Sequence, residues 1–110
     1  PEEAMMEVSL FELIEAFKQV VERMDKEDLL EIDTERISLS DRINEILEDL
    51  SREKSLSFTD LLKSSRTRKS IIYTLLAILE LMKMRVVRAF QSDPFGQIRI
   101  FPAVEESTDG

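Results

Sequence analysis

The sequence predicts a mainly α fold with a small β-hairpin: a winged-helix domain preceded by an N-terminal amphipathic helix. Three observations carry that expectation. Between Ser38 and Met84, apolar residues recur at three- and four-residue spacing in a helix, a short helix and a long helix. Beyond Arg85 the period falls to two, in "VVRAFQ" and again in "QIRIFP". Between those runs, "SDPFG" supplies turn-forming residues ending on Gly96, a hairpin signal. Helix, short helix, long helix, hairpin is the order of a winged helix, in which the hairpin is the wing and the long helix usually enters a DNA groove.

Each element has a local reason. Ser9 followed by Glu12 is a capping box, with Val8 and Leu13 placed as a hydrophobic staple. Leu10, Leu13, Ile14, Phe17, Val20, Val21 and Met24 then line one face of a helix that runs to about Asp25. "KEDLLEIDTERI" has weak periodicity and reads as a linker anchored by Leu29, Leu30, Ile32 and Ile37. Ser38 starts the second helix, with Asp41 as its acid three residues on and Leu39, Ile43, Ile46, Leu47 and Leu50 on one face. Ser57, Phe58 and Asp60 open the short helix, which carries Leu61 and Leu62. The long helix is expected to be capped near Ser65. Pro102 is expected to end the last strand or to sit at an edge. These elements set the expected boundaries at 1–37 for an acidic helical arm and linker, 38–104 for the winged-helix domain and 105–110 for a disordered tail.

Composition narrows the function. With 43% hydrophobic and 35% charged residues, the 110-residue chain can build a packed core. Residues 1–37 hold 12 of the 23 acids and 4 of the 15 bases, which is the whole of the net charge of −8; the remaining acids and bases cancel. Neither part has the cationic surplus of a phosphate-backbone binder. There is no histidine and no cysteine, so Ser–His triads, Cys–His pairs and thiolate or imidazole metal sites are excluded, and no cofactor is expected. The two glycines, Gly96 and Gly110, make no phosphate loop. Ser55, Ser57, Ser64 and Ser65 stand where helix caps belong, and the acidic pairs Glu48–Asp49 and Glu105–Glu106 read as solvated faces. The chain is not expected to be an enzyme. No stretch approaches a membrane span or a secretory signal, and the start at Pro1 suggests a piece of a longer protein.

The long helix is unusual. From Ile71 to Met84 its clearly polar residues are Thr74, Glu80 and Lys83, pointing in three separate directions. Ile71, Leu75, Ile78 and Met82, flanked by Leu81, form the arc expected to face the core. Ile72, Leu76 and Leu79, with Tyr73, Glu80 and Lys83 beside them, form the opposite arc. A DNA reader would bring Arg, Lys, Asn or Gln to base edges from that arc. Here it brings aliphatic side chains, which suit a protein partner. Three other readings compete: the N-terminal helix folds back over the arc, the arc is a self-association seam, or Arg66, Arg68, Lys69, Arg85 and Arg88 make the unit a DNA-binding transcription regulator.

"SRTRKSIIYTLLAILELMKM", followed by "VVRAFQSDPFGQIRI", resembles the C-terminal region of the segregation and condensation protein A family, the kleisins of bacterial condensin. The resemblance rests on Ser65-Arg66, the run Leu76-Ala77-Ile78-Leu79-Glu80-Leu81, Gln91, Phe95-Gly96 and Ile98. "FTDLL" at 58–62, "ISLSDRINEIL" at 37–47 and "SLFELIEAF" at 9–17 extend it over nearly the whole chain. Two departures stand out. Leu75 sits where the family often has phenylalanine, and Arg85 sits where a glycine is usual before the first strand. A positive φ would strain Arg85, so the turn there is expected to be built differently.

The resemblance implies a domain that docks on the ATPase head of a structural-maintenance-of-chromosomes (SMC) protein. A central segment of the kleisin binds a dimer of protein B, and the assembly closes a ring that condenses and segregates DNA in the cytoplasm, at the nucleoid. Ile72, Tyr73, Leu76 and Leu79 are the expected head-binding residues, extended by Phe95 and Ile98 on the wing, with a place in the core as the alternative for both. No membrane contact and no direct sequence-specific DNA binding are expected.

Overall fold

Among the described residues there are four helices and four short strands, and each helix begins on a side chain that caps it. The computed structural model describes residues 5–24, 37–93 and 96–103. In chain order the elements are β1 (Met6–Glu7), α1 (Leu10–Arg23), α2 (Leu39–Arg52), β2 (Leu56–Ser57), α3 (Phe58–Lys63), α4 (Arg68–Lys83), β3 (Val87–Gln91) and β4 (Ile98–Pro102). The predicted linker anchors Leu29, Leu30 and Ile32, the wing residue Phe95 and the tail 105–110 lie outside the described residues.

The capping boxes of α1 and α2 form as the sequence predicts. The Ser9 hydroxyl accepts from the Glu12 N–H at 3.1 Å while the Glu12 carboxylate accepts from the Ser9 N–H at 2.8 Å. Ser38 and Asp41 do the same at the start of α2, and Ser57 caps α3 by accepting from the Asp60 N–H. The long helix differs from expectation. Its cap is Thr67, which pairs with Ser70, because the Ser65 hydroxyl is committed elsewhere. Ser64 lies at the end of α3 rather than at a start, and Ser55 accepts from the Arg99 guanidinium of β4 at 2.7 Å.

The four strands form one antiparallel sheet in the order β1–β3–β4–β2. In the β3–β4 hairpin, Ala89 faces Ile100 and Gln91 faces Ile98, so the alternation buries Val87, Ala89, Ile98 and Ile100 against the helices. Pro102 closes β4 opposite Val87, where its missing N–H costs nothing in the sheet interior. On the outer sheet face, Phe90 and Phe101 meet edge to face with centroids 5.7 Å apart. The outer strands β1 and β2 are two residues each, too short for a period-two pattern to reveal.

One core runs through all these elements. Phe58, Leu62, Ile46, Ile78, Leu81 and Ile100 are fully buried in it, as is Leu13 from the N-terminal segment, and Val8 is buried beside them. Val8 also donates its N–H to the Ala89 carbonyl at 2.8 Å, and Phe17, Val20 and Val21 of α1 pack against the same cluster. The first described residues therefore share the packing of the rest, although charge divides the chain at residue 37.

A buried hydroxyl crosses this core. Thr74 is wholly inaccessible, and its Oγ1 donates to the Ser70 carbonyl at 2.8 Å. With its single proton so used, Oγ1 accepts from Arg42 Nε at 2.8 Å and from the Ser65 hydroxyl at 3.2 Å, which makes Ser65 the donor. Arg42 continues to Glu45 at 2.8 Å. This one atom thereby joins α2, the α3–α4 turn and α4.

The turn after α4 corrects an expectation. Arg85 takes φ 64, so the chain turns through the left-handed region despite having no glycine there. The Val86 N–H bonds to the Leu81 carbonyl at 2.9 Å and the Arg85 N–H to the Met82 carbonyl at 3.0 Å. That pair of bonds is a Schellman motif, which satisfies the last carbonyls of the helix and requires this backbone conformation.

Replacing Thr74 with Val should destabilise the domain by about 1–3 kcal/mol, because Arg42 Nε and the Ser65 hydroxyl lose their buried acceptor. Urea unfolding of wild type and variant checks this; equal midpoints would show the network to be neutral.

Candidate functional site

The two faces of α4 separate as the 3.6-residue period requires. Ile71, Thr74, Leu75, Ala77, Ile78 and Leu81 are buried, so the core arc is wider than the aliphatic residues alone suggest. Met82, placed on that arc by the sequence, is half-buried at its margin. On the opposite arc Ile72 is 48% exposed and Leu76 41% exposed, one turn apart. Tyr73 is half-buried beside them, with Lys69 Nζ 5.5 Å from its ring centroid. Leu79 is also half-buried and packs against the core cluster, so it is shared between core and surface.

The N-terminal helix folds back onto α4 without closing this stripe. Leu13 is buried in the shared core, yet Ile72 and Leu76 stay open and Phe11 of α1 is 80% exposed. Ile98 needs correction. It is 7% exposed and faces inward with Ile100, because period two places both on the helix side of the sheet. The wing therefore does not offer Ile98 to a partner. Sequence reasoning missed Met84, which is 57% exposed at the C-terminal end of α4; read as the last residue of an apolar helix, it gave no sign that it stands clear of the fold.

The basic residues also sort themselves. Arg88 is committed to Glu7 of β1 through two bonds, Nε to Oε2 at 3.1 Å and Nη2 to Oε1 at 2.9 Å, and its guanidinium lies 5.3 Å from the Phe90 ring centroid. The hydrogen bonds from Arg88 hold the Glu7 carboxyl below its ordinary pKa, partly opposed by slight desolvation and reinforced by the positive charge. The same pair raises the pKa of Arg88. Arg66, Arg68, Lys69, Lys83 and Arg85 stand exposed around the two ends of α4.

Among the described residues no cluster of three or more potential metal-ligating side chains occurs, and no helix is long and apolar enough to cross a membrane. What the geometry defines is a small, mainly helical domain whose longest helix presents aliphatic side chains to solvent. The family model for Segregation and condensation protein ScpA matches residues 2–102. Segregation and condensation protein A of Myxococcus xanthus is 35% identical over 106 residues, covering 93% of this chain and 37% of the relative. The protein of the same name from Listeria welshimeri is 34% identical over 107 residues, covering 94% of this chain and 43% of the relative. That from Brevibacillus brevis is 33% identical over 104 residues, covering 94% and 40%. The chain belongs to the segregation and condensation protein A family. It spans about two fifths of the length of these curated relatives. No solved structure matches it.

The Glu7–Arg88 pair predicts a pH signature. Because the folded-state pKa of Glu7 is lowered, its contribution is present above the unfolded-state value and is lost as pH falls through the folded one. Melting temperatures of wild type and Glu7→Gln should differ slightly at neutral pH, the pair being half exposed, and should converge in acid. A difference that persists at low pH would place its source elsewhere.

Proposed function

We propose that this chain is the C-terminal winged-helix module of a bacterial kleisin, and that it docks through the outer face of α4 on the ATPase head of an SMC protein. In that role it helps close the condensin ring that condenses and segregates chromosomes. The module performs no catalysis; it bridges the ATPase that does. A dimer of protein B binds through the central segment of the kleisin, and the assembly works in the cytoplasm at the nucleoid, away from membranes and without reading DNA sequence.

Family membership supports the chromosomal role. The exposure of Ile72 and Leu76 supports the docking face, and it is the observation that carries the reading. The order α2, α3, α4 and hairpin β3–β4 is that of a winged helix, in which α4 occupies the position of the DNA-reading helix. At that position base recognition would need amide or guanidinium groups, whereas two aliphatic side chains occupy the centre of the exposed arc. Both are already about half covered by the domain itself, so completing their burial contributes roughly 1 kcal/mol each. Tyr73 and Leu79 flank them and exclude water around the contact, as the near-neutral rim of a hot spot does.

Leu76→Arg and Ile72→Arg should each weaken binding to an isolated SMC head at least tenfold while leaving the circular dichroism spectrum and melting temperature near those of wild type. Titration calorimetry with the head measures the first and thermal melts the second. Unchanged binding by both variants would remove α4 from the interface, and unfolding would show the stripe to be part of the core.

A further inference from the structure

The sheet ends on an open edge at β1. In the order β1–β3–β4–β2 that strand is terminal, and its register with β3 fixes which backbone groups point inward. Met6 lies opposite Gln91 and Glu7 opposite Phe90, and the Val8 N–H bonds to the Ala89 carbonyl. In an antiparallel ladder alternate residues bond to the neighbouring strand. Met6 and Val8 therefore face β3, while the N–H and C=O of Glu7, and by the same alternation those of Met5, point away from the sheet. Residues 5–8 contain neither proline nor lysine, the residues that commonly protect an edge. At the other end of the sheet, β2 passes straight into α3, and Ser57 is taken up as its cap.

Apolar side chains gather at the same edge, where Met5, Met6 and Phe11 are exposed. Met6 shares its register with Gln91 and, through it, with Ile98, so its side chain lies on the helix side of the sheet. Glu7 lies on the outer side, where Arg88 of the same subunit holds its carboxylate. A second copy running antiparallel matches this pattern. Met5 pairs with Glu7 of the copy and Glu7 with Met5 of the copy, each pair exchanging its N–H and C=O groups, and Met6 meets its own counterpart at the two-fold axis. The one charged side chain of the strand is neutralised within its own subunit, so it does not repel its counterpart. The apolar part of such a contact is about 300 Å² per subunit, well below the roughly 800 Å² per partner of a standard interface. The pairing is therefore transient and depends on concentration.

We propose that β1 is a self-association edge, on which a second copy of this chain adds its own β1 antiparallel and extends the sheet through both subunits. The proposal is independent of what covers α4, because none of the residues it uses belongs to that helix. The net charge of −8 sets its salt dependence. Two copies repel one another at long range, and screening relieves that repulsion, so the pairing tightens as salt is added.

The test is sedimentation equilibrium of the whole chain from about 10 µM to about 1 mM, the range in which so small an interface dissociates, for wild type, Glu7→Pro, Glu7→Gln, Met6→Arg and Leu76→Arg. Wild type should pass from monomer to dimer within that range, and at a lower concentration in about 0.5 M than in about 0.05 M salt. Glu7→Pro removes an outward N–H that the fold does not use and should weaken association roughly tenfold. Glu7→Gln, which loses the ion pair alone, should leave it within about threefold of wild type. Met6→Arg sets like charges against each other at the two-fold axis and should also weaken association roughly tenfold. Thermal melts show which variants are folded; if Glu7→Pro melts early, Met6→Arg decides. A chain that stays monomeric throughout overturns the proposal. So does a dimer that survives Met6→Arg, or one abolished by Leu76→Arg, which moves the seam to α4. Loss of SMC-head binding by Leu76→Arg with its dimer intact is the expected pair of results, and full head binding by that variant bears on the docking face alone.

Discussion

The buried arc of α4 is the constraint on which the rest of the molecule depends. Helices α1, α2 and α3 and strand β3 all pack on it, so it must be apolar through more than a third of its circumference. Sixteen residues of such a helix leave little room for polar side chains. The one polar group admitted to the centre, Thr74, is tolerated because its proton and both lone pairs find partners in Ser70, Arg42 and Ser65. That network also fixes where α2 lies, since Arg42 can reach Thr74 from one position along the α2 surface.

Much of this was legible in residue patterns, and the failures share a physical origin. The capping boxes at Ser9 and Ser38, the hairpin and the division of α4 into two arcs depend on spacing within a few residues, which is written locally. The cap at Thr67 was hidden because three hydroxyl residues lie close together, and tertiary contact decides which of them caps. Ser65 is drawn off by Thr74, nine residues on. Arg42 carried a readable sign: it falls among Leu39, Ile43 and Ile46 on the apolar side of α2, where a solvated arginine has no place. Ile98 takes the core side of its two readings, which alternation left undecided because it gives two faces without naming the one that meets the helices. Strands β1 and β2 are pairings of two residues each, and no local period can announce those.

Charge and packing divide the chain differently. The acidity ends near residue 37, yet Val8 and Leu13 are buried in the same core as the later helices, and Glu7 makes its ion pair with Arg88 of β3. An acidic segment can thus differ in charge from the later helices and still share their packing. The carboxylates of α1, Glu12, Glu15 and Glu22, are exposed, while its buried and half-buried apolar side chains close one side of the core.

The connection from α4 to β3 has a mechanical consequence. Met84, Arg85 and Val86 span it, and all three N–H groups are spent on carbonyls of the helix, while the Val86 carbonyl accepts from Ala103 beyond β4. Such a joint leaves no backbone donor free between helix and hairpin, so neither can slide against the other without breaking these bonds.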